Sequence, residues 1–245
     1  LCIFPFEEEF FRRHRVDATY IGHPLAQTIR PSVDRETFRR AHNVPKGQPL
    51  VAILPGSRVG EASRHLPVLA ETVERLKAER NLTFIAGTPP GFSKRTPVNF
   101  WERFPAGTIQ VLEGNTWDLL ASSDLALAAS GTVTVEAALL GCPMITYYRV
   151  TPASWAMGKL LVRVPYYSMV NLVASQAIVP ELMQEKMTAA ALVAEVKSLL
   201  DDSARRSAMK RDLAVVAANL RTDGHPMERA VELVDAVMKK EPLHA

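Results

Sequence analysis

Three short runs place small, cationic and carboxylate residues at spacings that suit an anionic ligand. In Leu54-Pro55-Gly56-Ser57-Arg58, the glycine lets backbone approach a ligand closely. Ser57 is placed to cap a following helix, and Arg58 offers a forked cation that matches phosphate oxygens. The run is not a Walker-type phosphate loop, because the GxxxxGK(S/T) pattern is absent. In Ala129-Ser130-Gly131-Thr132, small residues again open a helix N-terminus, where free amides and the helix dipole favour negative charge. Glu136 follows one turn later among Val133, Val135, Ala137 and Ala138. A carboxylate there is costly to bury without donors, and the two hydroxyls of a ribose would supply them. The third run, Tyr148-Arg149, is followed by Pro165-Tyr166-Tyr167-Ser168-Met169-Val170-Asn171-Leu172. Read singly, each run is also compatible with an ordinary strand–turn–helix junction carrying a surface charge.

Other chemistry is sparse. His14, His42, His65 and His225 have no partner at ligand spacing and read as surface residues, while His23 in Gly22-His23-Pro24 reads as structural. No Ser/His/Asp or Cys/His set for covalent catalysis stands out. No carboxylate cluster points to a metal, so neither metal nor cofactor is expected. Cys2 and Cys142 are too few for a disulfide framework and read as reduced, buried thiols of a cytosolic protein. Trp155, Met157, Leu160 and Leu161 with Lys159 and Arg163 fit either core packing with a basic edge or an interfacial amphipathic face.

These runs act together only if the chain brings them to one place. Leu50–Leu54, Leu82–Ala86, Thr108–Leu112, Leu125–Ala128 and Met144–Tyr148 are short apolar runs of the kind that form fully buried parallel strands. Glu61–Glu79 carries Leu66, Leu69, Val73 and Leu76 at helical spacing. Trp117–Ala121 reads as a short helix, and the helix after Thr132 ends at Gly141, a residue suited to a helix C-terminus. Thr88–Pro105 is loop-rich. The alternation implies right-handed crossovers and an α/β, Rossmann-like parallel sheet with helices on both faces. Ligands of such sheets bind beyond the carboxyl ends of the strands, where all three runs fall. Beyond Pro152 the chain reads as mostly helical, with Ala230, Val231, Val234, Val237 and Met238 on one face of the last helix.

The bulk properties agree. The 245 residues are 47% apolar and 22% charged, with a mean hydropathy of 0.00, which excludes disorder. A net charge of +3 leaves no nucleic-acid footprint but suits an anionic ligand or a lightly anionic surface. Asp124, Glu136 and Arg149 interrupt the apolar runs before the ~20 residues that a membrane-spanning helix requires. The chain opens on Leu1-Cys2-Ile3-Phe4-Pro5-Phe6 with neither Met nor cap, and so reads as starting inside a longer protein. A strand at 1–4, a helix at 6–14, a strand at 18–21 and a polar linker over about 31–49 around a helix at 34–42 complete the expected elements.

Taken in order, Leu1-Cys2-Ile3-Phe4-Pro5-Phe6-Glu7, Ile21-Gly22-His23-Pro24, Leu54-Pro55-Gly56-Ser57-Arg58, Ala129-Ser130-Gly131-Thr132 with Glu136, Cys142-Pro143-Met144, Tyr148-Arg149 and Asn171-Leu172 resemble the lipid-A-disaccharide synthases. The likeness covers nearly the whole chain and is weakest across 88–105 and the last twenty residues. It implies the donor-binding half of a GT-B glycosyltransferase plus the end of the acceptor half. The expected division is 1–45 for the end of the acceptor domain and linker, 46–200 for the UDP-sugar domain, and 201–245 for helices packing back across the domains or onto a partner subunit. The implied reaction moves 2,3-diacylglucosamine from its UDP-activated form onto 2,3-diacylglucosamine 1-phosphate, with inversion, at the cytoplasmic face of the Gram-negative inner membrane. The implied partners are those two substrates and the membrane surface, with a homodimer as a further option. Arg58 with the Gly56 and Ser57 amides would meet the diphosphate or donor sugar. Ser130, Gly131 and Thr132 would line the phosphate pocket, and Glu136 would hold the ribose. Asn171 matches a position linked to activity, with Tyr148 and Arg149 beside it. The family's catalytic Asp has no counterpart here, so no general base is assigned.

Two alternatives stay open at this level. One is another UDP-sugar transferase or epimerase of the same architecture, which the segment Trp155–Leu172 would discriminate. The other is a nucleotide-binding fragment that is inactive without its missing half. A purely structural role would leave two glycine turns and a helix-borne carboxylate at one sheet edge without a purpose.

Overall fold

The computed structural model describes residues 1–161 and 164–240. Among them, six parallel strands form one sheet: Leu50–Leu54 (β1), Thr83–Thr88 (β2), Gln110–Glu113 (β3), Leu125–Ala129 (β4), Met144–Tyr148 (β5) and Glu181–Met183 (β6), in the order β3-β2-β1-β4-β5-β6. β1 lies at the centre, with Leu50 opposite Thr83 on one side and Val51 opposite Leu125 on the other. Both β1 and β4 are buried along their whole length, which is why they carry no polar residue.

The helices are Pro5–Arg13 (α1), Leu25–Thr28 (α2), Arg35–Ala41 (α3), Val59–Glu79 (α4), Thr116–Ser122 (α5), Thr132–Leu139 (α6), Pro152–Leu161 (α7), Met169–Ala174 (α8), Ala189–Asp201 (α9), Ser203–Asn219 (α10) and Pro226–Lys240 (α11). The β1-α4-β2 and β4-α6-β5 connections step in opposite directions across the sheet, so right-handed crossovers put α4 and α6 on opposite faces. α9 packs on α4, whereas α8 and α10 pack on α6, and α3 packs on α5. Gly141, at φ 66°, follows the last turn of α6 as expected.

One expectation about the first fifty residues is corrected. Segments 1–4 and 18–21 are not sheet strands and share a single parallel bridge between Cys2 and Tyr20. Cys2, Phe4, Ala18 and Ile21 are buried all the same, while Leu1 and Ile3 are exposed, and segment 18–23 is tied to the end of α10. Tyr20 donates its hydroxyl to Asn219 O at 2.8 Å, and His23 N–H donates to Leu220 O at 2.9 Å. The stretch expected to be a linker is tied to the sheet domain along its length. Asp118 accepts from Ser32 Oγ at 2.6 Å, and Asp124 pairs with Arg39 at 3.2 Å while accepting Leu50 N–H at 2.8 Å. β6 was not expected at all.

The two thiols are buried, and burial pushes Cys142 up to about 12. On α7, Trp155 packs against Tyr167 at 5.4 Å and Met157 is 63% exposed. Arg163 and the side chains of Lys159, Leu160 and Leu161 lie outside the described residues. α11 exposes Met227, Val231, Val234, Val237 and Met238. No helix among the described residues is long and apolar enough to cross a membrane.

Candidate functional site

The strand order reverses direction between β1 and β4, which opens a crevice beyond their carboxyl ends. The turn after β1 forms one wall. Gly56 sits at φ 118°, a left-handed conformation, and a Cβ there would lie 2.6 Å from Glu61 Cδ. Glycine is therefore required both by its backbone and by the side chain beneath it. Arg58 is the N-cap of α4 and makes no side-chain cap, and Ser57, expected to cap the helix, is exposed and does not do so. The first amides of α4 are left available to a ligand.

The turn after β4 forms the opposite wall. Gly131, at φ 158° and ψ −163°, caps α6 without a side-chain bond. Such a backbone is essentially confined to glycine. Between the walls lies a cavity of about 210 Å³, lined by both turns together with Thr88, Thr116, Glu61 and Glu136. Two more open grooves, of about 800 and 850 Å³, lie along α8–α10 and around α3, away from the ends of β1 and β4.

Glu136 is half-buried in the cavity wall. Burial pushes its carboxyl up, and the Trp117 Nε1–H that donates to its Oε2 at 3.0 Å opposes that shift. Oε1 accepts no hydrogen bond from the described residues, so a ligand donor can reach it. Tyr148, half-buried at the end of β5, has its hydroxyl pushed up, first by burial and then by the nearby Glu61 carboxylate, while the Arg58 charge opposes this. Arg58 itself is exposed.

The structure thus brings Gly56, Ser57, Ser130, Gly131, Thr132 and Glu136 to one cavity, with Arg58 and Tyr148 beside it. Ser130 contributes its backbone, because its hydroxyl donates to Tyr167 O at 2.7 Å. Arg149 and Asn171 are not brought there. The Arg149 guanidinium donates to Gln184 O at 3.2 Å and Met187 O at 2.5 Å. Asn171 is 0% exposed, and its amide gives two hydrogen bonds and accepts two, within the segment 171–181.

Three participants went unrecognised. His65, expected at the surface, is 0% exposed. It shares a hydrogen bond of 2.8 Å with Pro55 O and accepts Arg149 N–H at Nε2 at 3.0 Å, which fixes the neutral Nδ1–H form. Burial lowers its pKa. His65 therefore bolts the turn after β1 to the end of β5. Glu61 lies beneath Gly56, and Trp117 holds Glu136. The first two had a legible signal. Residues 61 and 65 extend the buried stripe of Leu69, Val73 and Leu76 toward the N-terminus of α4, at the end of the helix nearest the cavity. Polar residues on a core-facing stripe need partners.

The comparisons with known proteins complete this picture. A family model described as lipid-A-disaccharide synthetase matches residues 1–231. The lipid-A-disaccharide synthase of Solibacter usitatus is 49% identical over 244 residues, covering 100% of this chain and 63% of the relative. The chain thus spans less than two thirds of that relative's length. Among solved structures, a glycosyltransferase from Rickettsia africae has a TM-score of 0.62 at 13% identity, covering 98% of this chain and 63% of that one. The UDP-GlcNAc 2-epimerase of Neisseria meningitidis bound to UDP-GlcNAc has a TM-score of 0.62 at 9% identity, covering 98% and 61%. At these identities the two structures speak for the fold, the Rossmann-like α/β half of the GT-B architecture. The family match over nearly the whole chain and the identity to the Solibacter relative go further: this chain belongs to the lipid-A-disaccharide synthetase family.

Proposed function

We propose that the crevice between β1 and β4 holds the UDP part of a sugar nucleotide. In the whole protein this half serves the transfer of 2,3-diacylglucosamine from UDP-2,3-diacylglucosamine to 2,3-diacylglucosamine 1-phosphate. The transfer goes with inversion and yields the disaccharide 1-phosphate and UDP. The observation that carries the reading is Glu136, a carboxylate set in a glycine-walled cavity with one oxygen held by Trp117 and the other open. An acceptor-only group so placed suits the paired hydroxyls of a ribose.

The remaining roles follow from charge. As the acceptor hydroxyl attacks the anomeric carbon, the departing diphosphate gains negative charge, which preorganised donors stabilise. The amides of Gly56 and Ser57, the N-terminus of α4 and the Arg58 guanidinium supply them on one side. The Ser130-Gly131-Thr132 turn and α6 supply them on the other. Arg149 and Asn171 serve by holding the loops behind these groups. No described residue is assigned as the general base. Acylated substrates need access to a bilayer, which the exposed Met157 beside Trp155 on α7 supports. On this reading the protein works as a peripheral enzyme at the cytoplasmic face of the Gram-negative inner membrane. The exposed apolar residues of α11 support a covering partner, either the rest of the protein or a second copy.

Calorimetric titration of UDP into the chain tests the reading. Glu136→Ala and Arg58→Ala should each weaken binding by about 1–3 kcal/mol, the scale of losing a charge-assisted partner. Unchanged affinity in both variants would overturn it.

A further inference from the structure

Glu61 stands out among the groups that the proposed nucleotide contacts leave unexplained. Its side chain is nine-tenths buried, at 9% residue exposure, and lies in the wall of the cavity. Among the described residues it makes no ion pair, although Arg58 is three positions away. Tyr148, at the end of β5, lies near enough to feel its charge. An ionised carboxylate has room for about four donors, and leaving that capacity open in a buried place is costly. Gly56 folds directly over it, with a Cβ position only 2.7 Å from Oε2, so the carboxylate lies against the turn proposed to meet the diphosphate.

A diphosphate cannot satisfy this group, because both partners are acceptors and both are negative. What can satisfy it is the part of the ligand that adjoins the diphosphate and carries donors. In a sugar nucleotide that part is the hexose, with its free hydroxyls and, in an amino sugar acylated on nitrogen, an amide N–H. Glu136 lines the same cavity from the other wall and is assigned to the ribose.

We propose that Glu61 is a specificity-determining residue that accepts hydrogen bonds from the donor's sugar ring. The proposal rests on the donor-site reading above and extends it from the nucleotide to the sugar. The competing role is structural: Glu61 would only complement the dipole of α4 and prop the turn.

The test compares the affinities of UDP and UDP-N-acetylglucosamine by calorimetry. Glu61→Gln should lose about tenfold in affinity for the sugar nucleotide, the scale of a hydrogen bond to a charged group. UDP binding should stay within about twofold, so that the increment due to the sugar disappears. Glu61→Asp keeps the charge, withdraws it by one methylene, and should show the same selective loss if the Gln variant fails to fold. Glu136→Gln should weaken both ligands equally. Equal weakening of UDP and the sugar nucleotide in the Glu61 variants, or no weakening of either, would overturn the proposal while leaving the nucleotide site intact. A wild-type chain that binds neither ligand would overturn the donor-site reading and this proposal with it.

Discussion

Two regions of this molecule hold the same kinds of residue to different ends. The cavity at the carboxyl ends of β1 and β4 is lined by two serines, three threonines and two glutamates. Across the edge of the sheet, Ser168, Asn171 and Glu181 form a cluster of the same chemistry. In the second cluster every group is engaged. Glu181 accepts Ser168 N–H at 2.9 Å, Ser168 Oγ–H at 2.8 Å and Asn171 Nδ2–H at 2.8 Å, while Asn171 Oδ1 accepts the amides of Ile178 and Val179 at 2.9 and 3.0 Å. In the first cluster Glu136 keeps an oxygen open, the first amides of α4 and α6 have no side-chain cap, and the space between them is a cavity. Residue type does not separate a binding site from a brace; open hydrogen-bonding capacity facing a cavity does.

The largest expected effect would break this contrast if it went the other way. Asn171→Leu strands the buried amides of Ile178 and Val179 and should cost about 3 kcal/mol, at about 1–3 kcal/mol for each unpaired group. Urea unfolding measures that loss. The folded variant should bind UDP within about twofold of wild type, because the amide faces the 171–181 segment and not the cavity. An Asn171 variant of undiminished stability that had lost UDP binding would make Asn171 a ligand contact after all.

The same contrast explains what could be read in advance. β1, β2, β4 and β5 were legible because central parallel strands bury both faces and leave continuous apolar runs. β6 was not, because three residues beginning with a glutamate carry no strand period, and that glutamate is taken up by the Ser168–Asn171 brace. The first twenty residues misled for a related reason. Their apolar run is real, but Phe4 packs at a tilt against His23 at 5.0 Å and the chain leans on α10, so burial there comes from helix ends and not from the sheet. The glycine turns and Glu136 were legible as a set, since small residues and a carboxylate recur after successive strands. Glu61 and His65 were less legible because only the apolar members of their helical stripe mark the core directly.

His65 offers a smaller and sharper probe. It ties the two sides of the site together, so His65→Leu removes both the partner of Pro55 O and the acceptor for Arg149 N–H and should cost about 2 kcal/mol. The pH dependence carries its own sign. Burial lowers the pKa of His65 below its ordinary value of 6.5. In the range between the folded and unfolded values the unfolded chain holds more protons. The contribution of His65 is therefore complete above 6.5 and is lost as pH falls through the folded value. Urea midpoints followed downward from neutral pH should fall for the wild type and fall less for His65→Leu. His23, also lowered by burial, keeps a part of the acid limb in the variant. Identical acid limbs in the two proteins would mean that His65 is not held neutral by this bolt.

The smallest effect concerns Glu136 and has the opposite sign. Burial raises its carboxyl above the ordinary range, so between the unfolded and folded values the native state holds more protons and stability declines as pH rises. Glu136→Gln, which keeps the shape and removes the charge, should flatten that decline and change stability at neutral pH by less than about 1 kcal/mol. Ligand binding then reads out the open oxygen directly. Hydroxyl donors favour the ionised carboxylate, so UDP should lower the pKa of Glu136 and release a proton where the free protein is partly protonated. Titrations of UDP in buffers of different ionisation enthalpy, near the carboxyl's pKa, detect that proton as a buffer-dependent heat. Glu136→Gln should abolish the buffer dependence. If UDP binds wild type without releasing a proton anywhere across the titration range of Glu136, no donor reaches that oxygen. In that case the carboxylate would be a brace held by Trp117, as Glu181 is a brace for Asn171, and the contrast between the two regions would fail at its central residue.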